Sequence, residues 1–358
     1  MLAVQLTEWG APPEFRDVPD PEPIGEQLVL RVDAAGLCRS DLHVMDSSAA
    51  RFAYPLPLTL GHEVAGTVVA AGPAADSSWI GQSVVVHGLW GCGTCRQCLR
   101  GRQNYCLALA PTSEGRLVPI GNGLGHGGGL AELMVVPSDD VLIPIGSLDP
   151  ISAAPLADAA LTAYHSIRTN ADVIDSRSVV VVVGVGGLGH LAVQILRSMR
   201  AGRIVAIETR VETHSVAVHS GAHECHETFS DAQGSIEGLG GADLVLDFVG
   251  APGTVDAGAE VLTPGGRLVV VGSAGGRLTV GKDLGMAAGW HVSAPFWGTR
   301  DDLRAVVALA QDGALHAEVT TFPFTDTLDA YQQLRAGSIT GRAVIDMNVS
   351  RRREETRP

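Results

Sequence analysis

The sequence has few aromatic residues and few cysteines, and no apolar run in it is long enough to cross a membrane. Aromatic side chains make up 4% of the 358 residues and hydrophobic residues 46%, so we expect aliphatic, alanine-rich cores. The longest apolar runs, such as 179–183 and 305–310, fall far short of the roughly 20 residues that a membrane-spanning helix needs. The first ten residues carry neither the basic nor the apolar segment of a secretory signal. We therefore expect a soluble, cytoplasmic protein with no membrane partner.

Basic residues are scarce relative to acidic ones. The chain carries 25 basic and 39 acidic side chains, which gives a formal net charge of −14. A surface that coats DNA or RNA needs a basic footprint, so we expect no nucleic-acid partner. At roughly 100–200 residues per domain, the length predicts two domains.

The six cysteines are too few for a disulfide scaffold, but four of them lie within fifteen residues: Cys92, Cys95, Cys98 and Cys106. In a reducing compartment such clusters bind metals more often than they form disulfides. One loop thus supplies four thiolates, which suffice for a closed tetrahedral zinc site of the structural kind. The alternative, four unliganded surface thiols, would invite oxidation.

The pattern of the chain changes near residue 151. Before it, short apolar runs bounded by proline and glycine, such as 27–32, 64–70 and 83–86, indicate β-strands. After it, apolar strand candidates alternate with helical or loop segments, which predicts a parallel α/β sheet. These strand candidates are 179–183, 203–208, 243–249 and 267–271.

A glycine-rich turn follows the run of five valines at 179–183 and opens a helix. It has the pattern G-x-G-x-x-G, which is weak by itself but stands here in the strand–turn–helix context that dinucleotide binding requires. The glycines let the backbone approach a pyrophosphate, which the free N–H groups of the helix N-terminus then bind. The candidate cofactor-binding residues of this turn are Gly184, Gly186, Gly187, Leu188 and Gly189. The alternative is a turn that serves only helix–strand packing.

An acidic residue, Glu208, ends the next strand, 19 positions after Gly189. A carboxylate in this place accepts hydrogen bonds from the adenosine ribose and repels a 2′-phosphate, so it favours NAD over NADP. Arg210, two residues further on, could hold such a phosphate, so use of NADP stays open.

Three polar residues from distant segments form a third candidate site: Cys38 in G-L-C-R-S-D, His62 in G-H-E and Asp158 in P-L-A-D. Taken singly, each has an ordinary structural interpretation as a buried cysteine, a hydrogen-bonded histidine or a helix-start aspartate. Together they are a sulfur, nitrogen and oxygen ligand set with an open fourth position, the arrangement of catalytic zinc.

With these motifs the chain resembles the zinc-dependent medium-chain alcohol dehydrogenases from Met1 to about Met347. The resemblance rests on the segments around Cys38 and His62, the four-cysteine lobe, the glycine turn and the terminal Gly341-Arg342. Bacterial NAD-dependent secondary alcohol dehydrogenases look closest, through the segments 36–41, 90–95, 151–165 and 296–300.

The resemblance implies a fold and cofactors. The fold is a GroES-like, β-rich catalytic domain (1–152 and 296–358) with an inserted Rossmann domain (153–295) that binds NAD. The cofactors are NAD(H) and two zinc ions per chain, and the partner is a small alcohol or ketone. By the same resemblance we expect the chain to form a homodimer or homotetramer.

The resemblance also implies roles for individual residues. Cys38, His62 and Asp158 would be the catalytic zinc ligands, although many relatives have cysteine at the third position. The other implied residues act beside the metal or on the cofactor. They are Glu63 next to the metal, Ser40 on the substrate oxygen, His43 in proton release, Arg39 and Arg342 at the cofactor pyrophosphate, and Thr162 beside the nicotinamide.

The residues that line the substrate pocket are the part of the site that the sequence defines least. Four of the scarce aromatic residues, Tyr54, Trp90, Phe296 and Trp297, fall near segments expected to face the zinc. An apolar pocket for medium-sized hydrophobic alcohols or ketones follows from them.

Two further segments carry metal- or phosphate-like patterns. His223, Cys225 and His226 form either a third metal site or a surface loop beside the adenosine pocket, and we favour the loop. The glycine-rich stretch 121–129 lacks a strand before it and a helix after it, so we expect an extended loop with an exposed His126.

The sequence therefore predicts a zinc- and NAD-dependent secondary alcohol dehydrogenase or ketone reductase. A dehydrogenase of primary or aryl alcohols and aldehydes, or a reductase of activated double bonds or imines, is an alternative on the same scaffold. An alternative of another class, a non-catalytic zinc- and dinucleotide-binding protein, would need a damaged ligand set, and none of these residues is missing.

Overall fold

The computed structural model describes residues 1–281 and 289–348, which divide into two compact units. The first unit comprises Met1–Asp158, Thr299–Gly313 and the described residues from Ala317 onward. The second comprises Ala159–Gly298 and Ala314–His316. Residues 349–358, which the sequence assigns to the first domain, lie outside the described residues.

The first unit is built mainly from strands, and the second alternates strands and helices. In chain order the strands are β1 (Leu2–Leu6), β2 (Glu14–Asp17), β3 (Leu28–Leu37), β4 (Leu58–Thr59), β5 (Glu63–Ala71), β6 (Ser83–Val86), β7 (Gly121–Asn122), β8 (Gly125–His126), β9 (Leu133–Val136), β10 (Leu142–Pro144), β11 (Val179–Val183), β12 (Arg203–Ile207), β13 (Glu224–His226), β14 (Ala242–Asp247), β15 (Leu262–Val270), β16 (His291–Ser293), β17 (Val319–Pro323) and β18 (Arg342–Asp346).

The helices are short. In chain order they are α1 (Arg39–Met45), α2 (Pro150–Ala153), α3 (Ala159–Arg168), α4 (Gly189–Ser198), α5 (His214–Ser220), α6 (Phe229–Gly238), α7 (Pro252–Glu260), α8 (Arg300–Gln311) and α9 (Thr327–Ala336). Within residues 1–281 and 289–348, no helix has the length and apolar character needed to cross a membrane.

The main sheet of the first unit brings three functional segments to one place. Its seven strands run in the order β10-β6-β5-β3-β18-β17, and β9 also pairs with β3. Gly36, near the end of β3, lies opposite Glu63 of β5 on one side and Val344 of β18 on the other. A side chain at Gly36 would overlap the Glu63 carboxylate, so a glycine is required at this close approach. The register therefore places the residues after β3, before β5 and at the start of β18 next to each other.

The second unit is a six-stranded parallel sheet in the order β13-β12-β11-β14-β15-β16. This is the strand order 3-2-1-4-5-6 of doubly wound dinucleotide-binding folds. β11 consists of five buried valines, as expected for a strand covered on both faces. The parallel α/β sheet predicted from the alternating sequence is confirmed.

The glycine turn joins β11 to α4. Gly184 adopts a φ of +81°, which glycine tolerates without strain, and its N–H donates to the carbonyl of Ile207 at 2.8 Å. A side chain at Gly189 would overlap the carbonyl oxygen of Gly184. The predicted strand–turn–helix arrangement is thus present. The close approach of backbone segments within its turn depends on Gly184 and Gly189.

Replacement of Gly189 by alanine tests this dependence. Because the added methyl group would collide with backbone, we expect Gly189→Ala to lower the free energy of unfolding by about 1–3 kcal/mol. Gly234 is the matched control, since it lies exposed within α6 with nothing near its Cβ position. Gly234→Ala should be neutral or raise that energy by up to about 1 kcal/mol. Equal effects of the two changes in chemical denaturation would contradict the packing described for the turn.

Candidate metal and dinucleotide sites

Four buried side chains of the first unit form a compact cluster: Cys38, His62, Glu63 and Asp158. Their ligand atoms all lie within 4.8 Å of one another. The Asp158 carboxylate lies 3.5 Å from the Cys38 sulfur and 3.6 Å from His62 Nε2. The structure therefore brings together the three zinc ligands that the resemblance implied.

Local structure explains how these residues meet. Cys38 follows β3 and precedes α1, and His62 precedes β5. Asp158 follows a short 3-10 turn at 154–157, which packs against β3 and β5. A thiolate, an imidazole and a carboxylate around one point suit a zinc ion that keeps a fourth position open.

Asp41, to which the sequence analysis gave no role, orients two residues of the cluster, Cys38 and His62, through hydrogen bonds. Its two carboxylate oxygens contact different partners: Oδ2 accepts the Cys38 backbone N–H at 3.0 Å, and Oδ1 lies 2.9 Å from His62 Nδ1. With Nδ1 engaged, the other ring nitrogen is the one left to face Cys38 and Asp158. The available signal was the position of Asp41, three residues after Cys38 in the first turn of α1.

The buried charges shift the acid–base properties of the cluster. Burial lowers the pKa of His62, but the charges of Asp41 and hydrogen bonds from its neighbours outweigh this and hold that pKa well above its ordinary value. Burial raises the pKa of Glu63 to about 7, although Arg342 opposes the shift. A cation bound here would compete with the His62 proton, since metal ligands must be deprotonated.

Arg342, at the start of β18, supplies the balancing positive charge. Its Nε donates to Glu63 at 2.9 Å, a second nitrogen contacts the other Glu63 oxygen, and that nitrogen also lies 3.3 Å from Asp158. All three side chains are buried, and buried carboxylates are stable only when paired. The structure thus places Arg342 among the carboxylates of the cluster, whereas its predicted contact with a pyrophosphate stays a prediction.

The resemblance implied roles for three residues of α1: Arg39, Ser40 and His43. The Ser40 hydroxyl is 3.5 Å from the Cys38 sulfur, and His43 lies one turn later on the same helix face and is exposed. Arg39 is also exposed, with its guanidinium beside Gly337 at the end of α9. Ser40 is therefore near the ligands, and His43 is near solvent.

The four cysteines of the lobe converge as predicted, with sulfur atoms within 4.8 Å of one another. The backbone N–H groups of Cys95 and Cys92 donate to the sulfurs of Cys92 and Cys106 at 3.4 and 3.3 Å. Hydrogen bonds from the backbone at Thr94 and Cys95 lower the pKa of the Cys92 thiol to about 6, while burial raises that of Cys98 to about 12. Four sulfurs complete a tetrahedral set of ligands, which suits a structural zinc ion.

The second unit contains the predicted dinucleotide elements. Glu208 follows β12 and accepts the Val185 N–H of the glycine turn at 2.9 Å, so the two elements are in contact. Thr162 is buried in α3, and its carbonyl accepts the Ser166 hydroxyl at 2.7 Å. The turn itself spans Gly184, Gly186, Gly187, Leu188 and Gly189.

The predicted substrate-wall residues fall in different units. In the first unit Tyr54 packs against Phe52 at 4.7 Å between ring centroids, and burial raises its pKa to about 12 while the charge of His62 opposes the shift. Trp90 stacks on the ring of His126 at 5.0 Å, and His126 is exposed as expected.

The other two aromatics, in the second unit, contact each other edge to face at 6.2 Å. Phe296 is exposed, whereas Trp297 is buried and has a left-handed backbone with φ of +53°.

The segment around Cys225 is a strand and not the surface loop that we favoured. β13 pairs with β12 at the edge of the sheet, and His223 Nδ1 accepts the Ile204 N–H at 3.0 Å. His226 is engaged by Glu224 at 3.0 Å. In the described part of the chain, groups of metal-ligating residues occur only in the two clusters above, so the third metal site is not supported.

Two known family models match parts of this chain. Residues 25–147 match the model described as "Alcohol dehydrogenase GroES-like domain", and residues 187–312 match "Zinc-binding dehydrogenase".

Similar proteins match along nearly the whole chain. D-arabinose 1-dehydrogenase (NADP(+)) of Saccharolobus solfataricus is 34% identical over 352 residues, covering 96% of this chain and 97% of that protein. An NAD-dependent alcohol dehydrogenase of Sulfolobus acidocaldarius is 29% identical, with coverage of 96% and 99%. The solved structure of acetophenone reductase from Geotrichum candidum in complex with NAD has a TM-score of 0.83 and 30% identity, and 96% of each chain is covered.

Asp41 provides a test of the metal cluster. An asparagine offers one acceptor oxygen in place of two, so it cannot hold both Cys38 N–H and His62 Nδ1. We expect Asp41→Asn to weaken zinc binding at this cluster about 10- to 100-fold, as for other residues that orient metal ligands. Chelator competition should then remove one zinc ion and leave that of the four-cysteine lobe.

Asp46→Asn is the control, because Asp46 pairs with Arg335 on the surface at 2.6 Å. It should retain both zinc ions with wild-type affinity. Unchanged zinc binding in Asp41→Asn would show that Asp41 does not orient the ligands.

Proposed function

Because the chain belongs to the zinc-dependent medium-chain alcohol dehydrogenase family, we propose that it oxidises a secondary alcohol with NAD⁺ and reduces the ketone with NADH. The proposal is carried by one observation, the convergence of Cys38, His62 and Asp158, with Glu63 beside them, in one buried cluster. The family confirms the predicted combination of a GroES-like domain and a Rossmann domain. Special closeness to bacterial members stays a prediction.

The residues present fit both implied groups. Cys38, His62 and Asp158 would hold a catalytic zinc ion, and the four cysteines a structural one. When bound, zinc acts as a Lewis acid that lowers the pKa of an alcohol, and the nicotinamide takes up the hydride. The intact ligand set argues against the non-catalytic alternative.

Ser40 and His43 provide the route for the proton. Ser40, beside Cys38, is placed to accept the proton of a substrate hydroxyl that lies next to the ligands. His43, on the same face of α1 and exposed, is placed to release it to water. The family resemblance implies that a hydroxyl of the nicotinamide ribose would link the two side chains.

Glu63 and Arg342 keep the cluster electrostatically balanced. Arg342 holds both Glu63 and Asp158, so it orients the ligand carboxylate and compensates the negative charge of the cluster. Glu63 lies among the ligand atoms and is a candidate for transient contact with the metal.

The glycine turn, Arg39, Thr162 and Glu208 would bind the dinucleotide. The turn contributes N–H groups and the N-terminus of α4 for the pyrophosphate. The role of Arg39 rests on the family resemblance alone. Glu208 would lie at the adenosine ribose and Thr162 near the nicotinamide.

We propose a medium-sized apolar substrate, from the aromatic side chains Tyr54, Trp90, Phe296 and Trp297. The acetophenone reductase likeness favours such a ketone. The D-arabinose 1-dehydrogenase likeness favours a sugar as the second candidate.

We also propose a homodimer or homotetramer in the cytoplasm. The assembly rests on the family resemblance. The location is supported by six free cysteines, four of them clustered for metal binding, because such thiols persist in a reducing compartment. Light scattering on the purified protein would give the mass of the assembly.

A substrate panel tests the proposed reaction. We expect NADH oxidation to be fastest with aryl or alkyl ketones, slower with the matching aldehydes, and slowest with activated double bonds and imines. In the reverse direction, secondary alcohols should reduce NAD⁺ faster than primary alcohols or D-arabinose. Faster turnover of aldehydes or of D-arabinose than of ketones and secondary alcohols would contradict the proposed substrate class. Absence of turnover with every compound would contradict the proposed reaction itself.

Cys38→Ser separates chemistry from cofactor binding. Since Cys38 belongs to the metal cluster and the glycine turn lies in the other unit, the variant should lose turnover at least about 1,000-fold in kcat. NADH binding, followed by nicotinamide fluorescence, should be retained, and one of two zinc ions should be lost. Cys225→Ser, at the only cysteine outside both clusters, should keep both zinc ions and turnover. Loss of NADH binding in Cys38→Ser would contradict the separation.

A further inference from the structure

The Glu208 carboxylate, which should bind the adenosine ribose, is already fully hydrogen-bonded within the chain. Oε1 accepts the backbone N–H and the Nε–H of Arg210 at 3.0 and 3.1 Å. Oε2 accepts the Val185 N–H at 2.9 Å and an Arg210 guanidinium N–H at 3.2 Å. A carboxylate has about four lone-pair sites, and these four donors occupy them. A ribose hydroxyl can therefore reach Glu208 only if one of the donors leaves.

Arg210 also changes the net charge at Glu208, so the site differs from one that has a carboxylate alone. Glu208 is buried, with 6% of its surface exposed, and Arg210 contacts both of its oxygens. Burial opposes ionisation, but the hydrogen bonds from Arg210 outweigh it and lower the pKa of Glu208, so the pair is a carboxylate with a guanidinium. A lone negative charge would repel a 2′-phosphate, whereas this pair is neutral overall.

Arg210 is the donor that is able to move. Its side chain is 32% exposed, whereas Val185 belongs to the fixed glycine turn. Its terminal nitrogen lies 3.5 Å from the position of a Cβ at Gly186, so the guanidinium sits beside the turn that would bind the pyrophosphate. A guanidinium binds phosphate with two parallel hydrogen bonds.

Movement of the Arg210 side chain would not leave Glu208 without partners. The backbone N–H groups of Val185 and Arg210 would still donate, one to each carboxylate oxygen. The two oxygen positions vacated by the guanidinium would then be open to the ribose hydroxyls.

We propose that Arg210 is a second cofactor-selecting residue, and that its pairing with Glu208 lets this chain accept NADP(H) as well as NAD(H). With NAD(H), the ribose hydroxyls take the positions on Glu208 that the guanidinium leaves. With NADP(H), the guanidinium turns to the 2′-phosphate. The inference rests on the dinucleotide-binding part of the proposed function and is independent of the substrate.

Binding measurements on the zinc-loaded protein test the proposal without turnover. The fluorescence of NADH and NADPH gives the two dissociation constants, and displacement by 5′-ADP and 2′,5′-ADP isolates the adenosine end. In the wild type we expect the NADPH constant to lie within about tenfold of the NADH constant.

Arg210→Ala should weaken the binding of NADPH and 2′,5′-ADP about 10- to 100-fold, the range for a charge-assisted contact. NADH and 5′-ADP should bind unchanged or more tightly, which also shows that the variant is folded. Glu208→Gln should produce the opposite selection, with weaker NADH and unchanged or tighter NADPH. Arg177→Ala is the control for loss of one positive charge, because Arg177 is exposed and pairs only locally with Asp175. It should alter neither constant.

Two results would overturn the proposal: wild-type NADPH binding more than about tenfold weaker than NADH binding, or an NADPH constant that Arg210→Ala leaves unchanged. In either case NADH binding and the proposed reaction would stand. Failure of the wild type to bind either dinucleotide would instead contradict the proposed function.

Discussion

The hydrogen bonds of Asp41 are the interaction on which the metal cluster depends. A single carboxylate in the first turn of α1 accepts the backbone N–H of Cys38 and holds His62 Nδ1. The two ligands come from segments next to different strands, after β3 and before β5, and this bridge fixes the thiolate and the imidazole relative to each other. Without it, Nδ1 of His62 would lose its carboxylate partner, and the ring orientation that zinc requires would be less well fixed.

The sheet register brings Glu63 and Arg342 next to the cluster, and the positive charge of Arg342 lowers the energetic cost of burying its carboxylates. Glu63 and Arg342 flank the end of β3 from its two neighbouring strands, and Gly36 leaves the space that the Glu63 carboxylate fills. Of the three buried carboxylates here, Asp41 is paired with His62, and Glu63 and Asp158 need a further partner. Arg342 contacts two of those carboxylates, so burial of each charge is offset by a partner.

Much of this structure could be predicted from the sequence where the signal is local. The five valines before Gly184 and the spacing of Cys92 to Cys106 each specify their structure within one short segment. Cys38, His62 and Asp158 are distant in sequence, and their shared role depended on resemblance as well as on residue type. Asp41 was missed because an aspartate in a first helical turn is ordinary unless its partner from another strand is known.

Two features could be recognised only from contacts in the three-dimensional structure. In the sequence, Glu208 favours NAD and Arg210 favours NADP, so the two residues point to different cofactors. In the structure, the two side chains form an ion pair with each other. The strand β13 was mistaken for a loop because it has only three residues, two of them polar, and takes its conformation from pairing with β12. For β13, a tertiary partner and not local preference decided the conformation.

The central claim is that this chain builds one catalytic and one structural zinc site. X-ray diffraction at the zinc absorption edge, on protein purified without chelators, tests it most directly. We predict two anomalous peaks: one within about 2.3 Å of four sulfurs, and one bound by Cys38, His62 and Asp158. A single peak at the four-cysteine lobe, or a second peak held by other residues, would contradict the account.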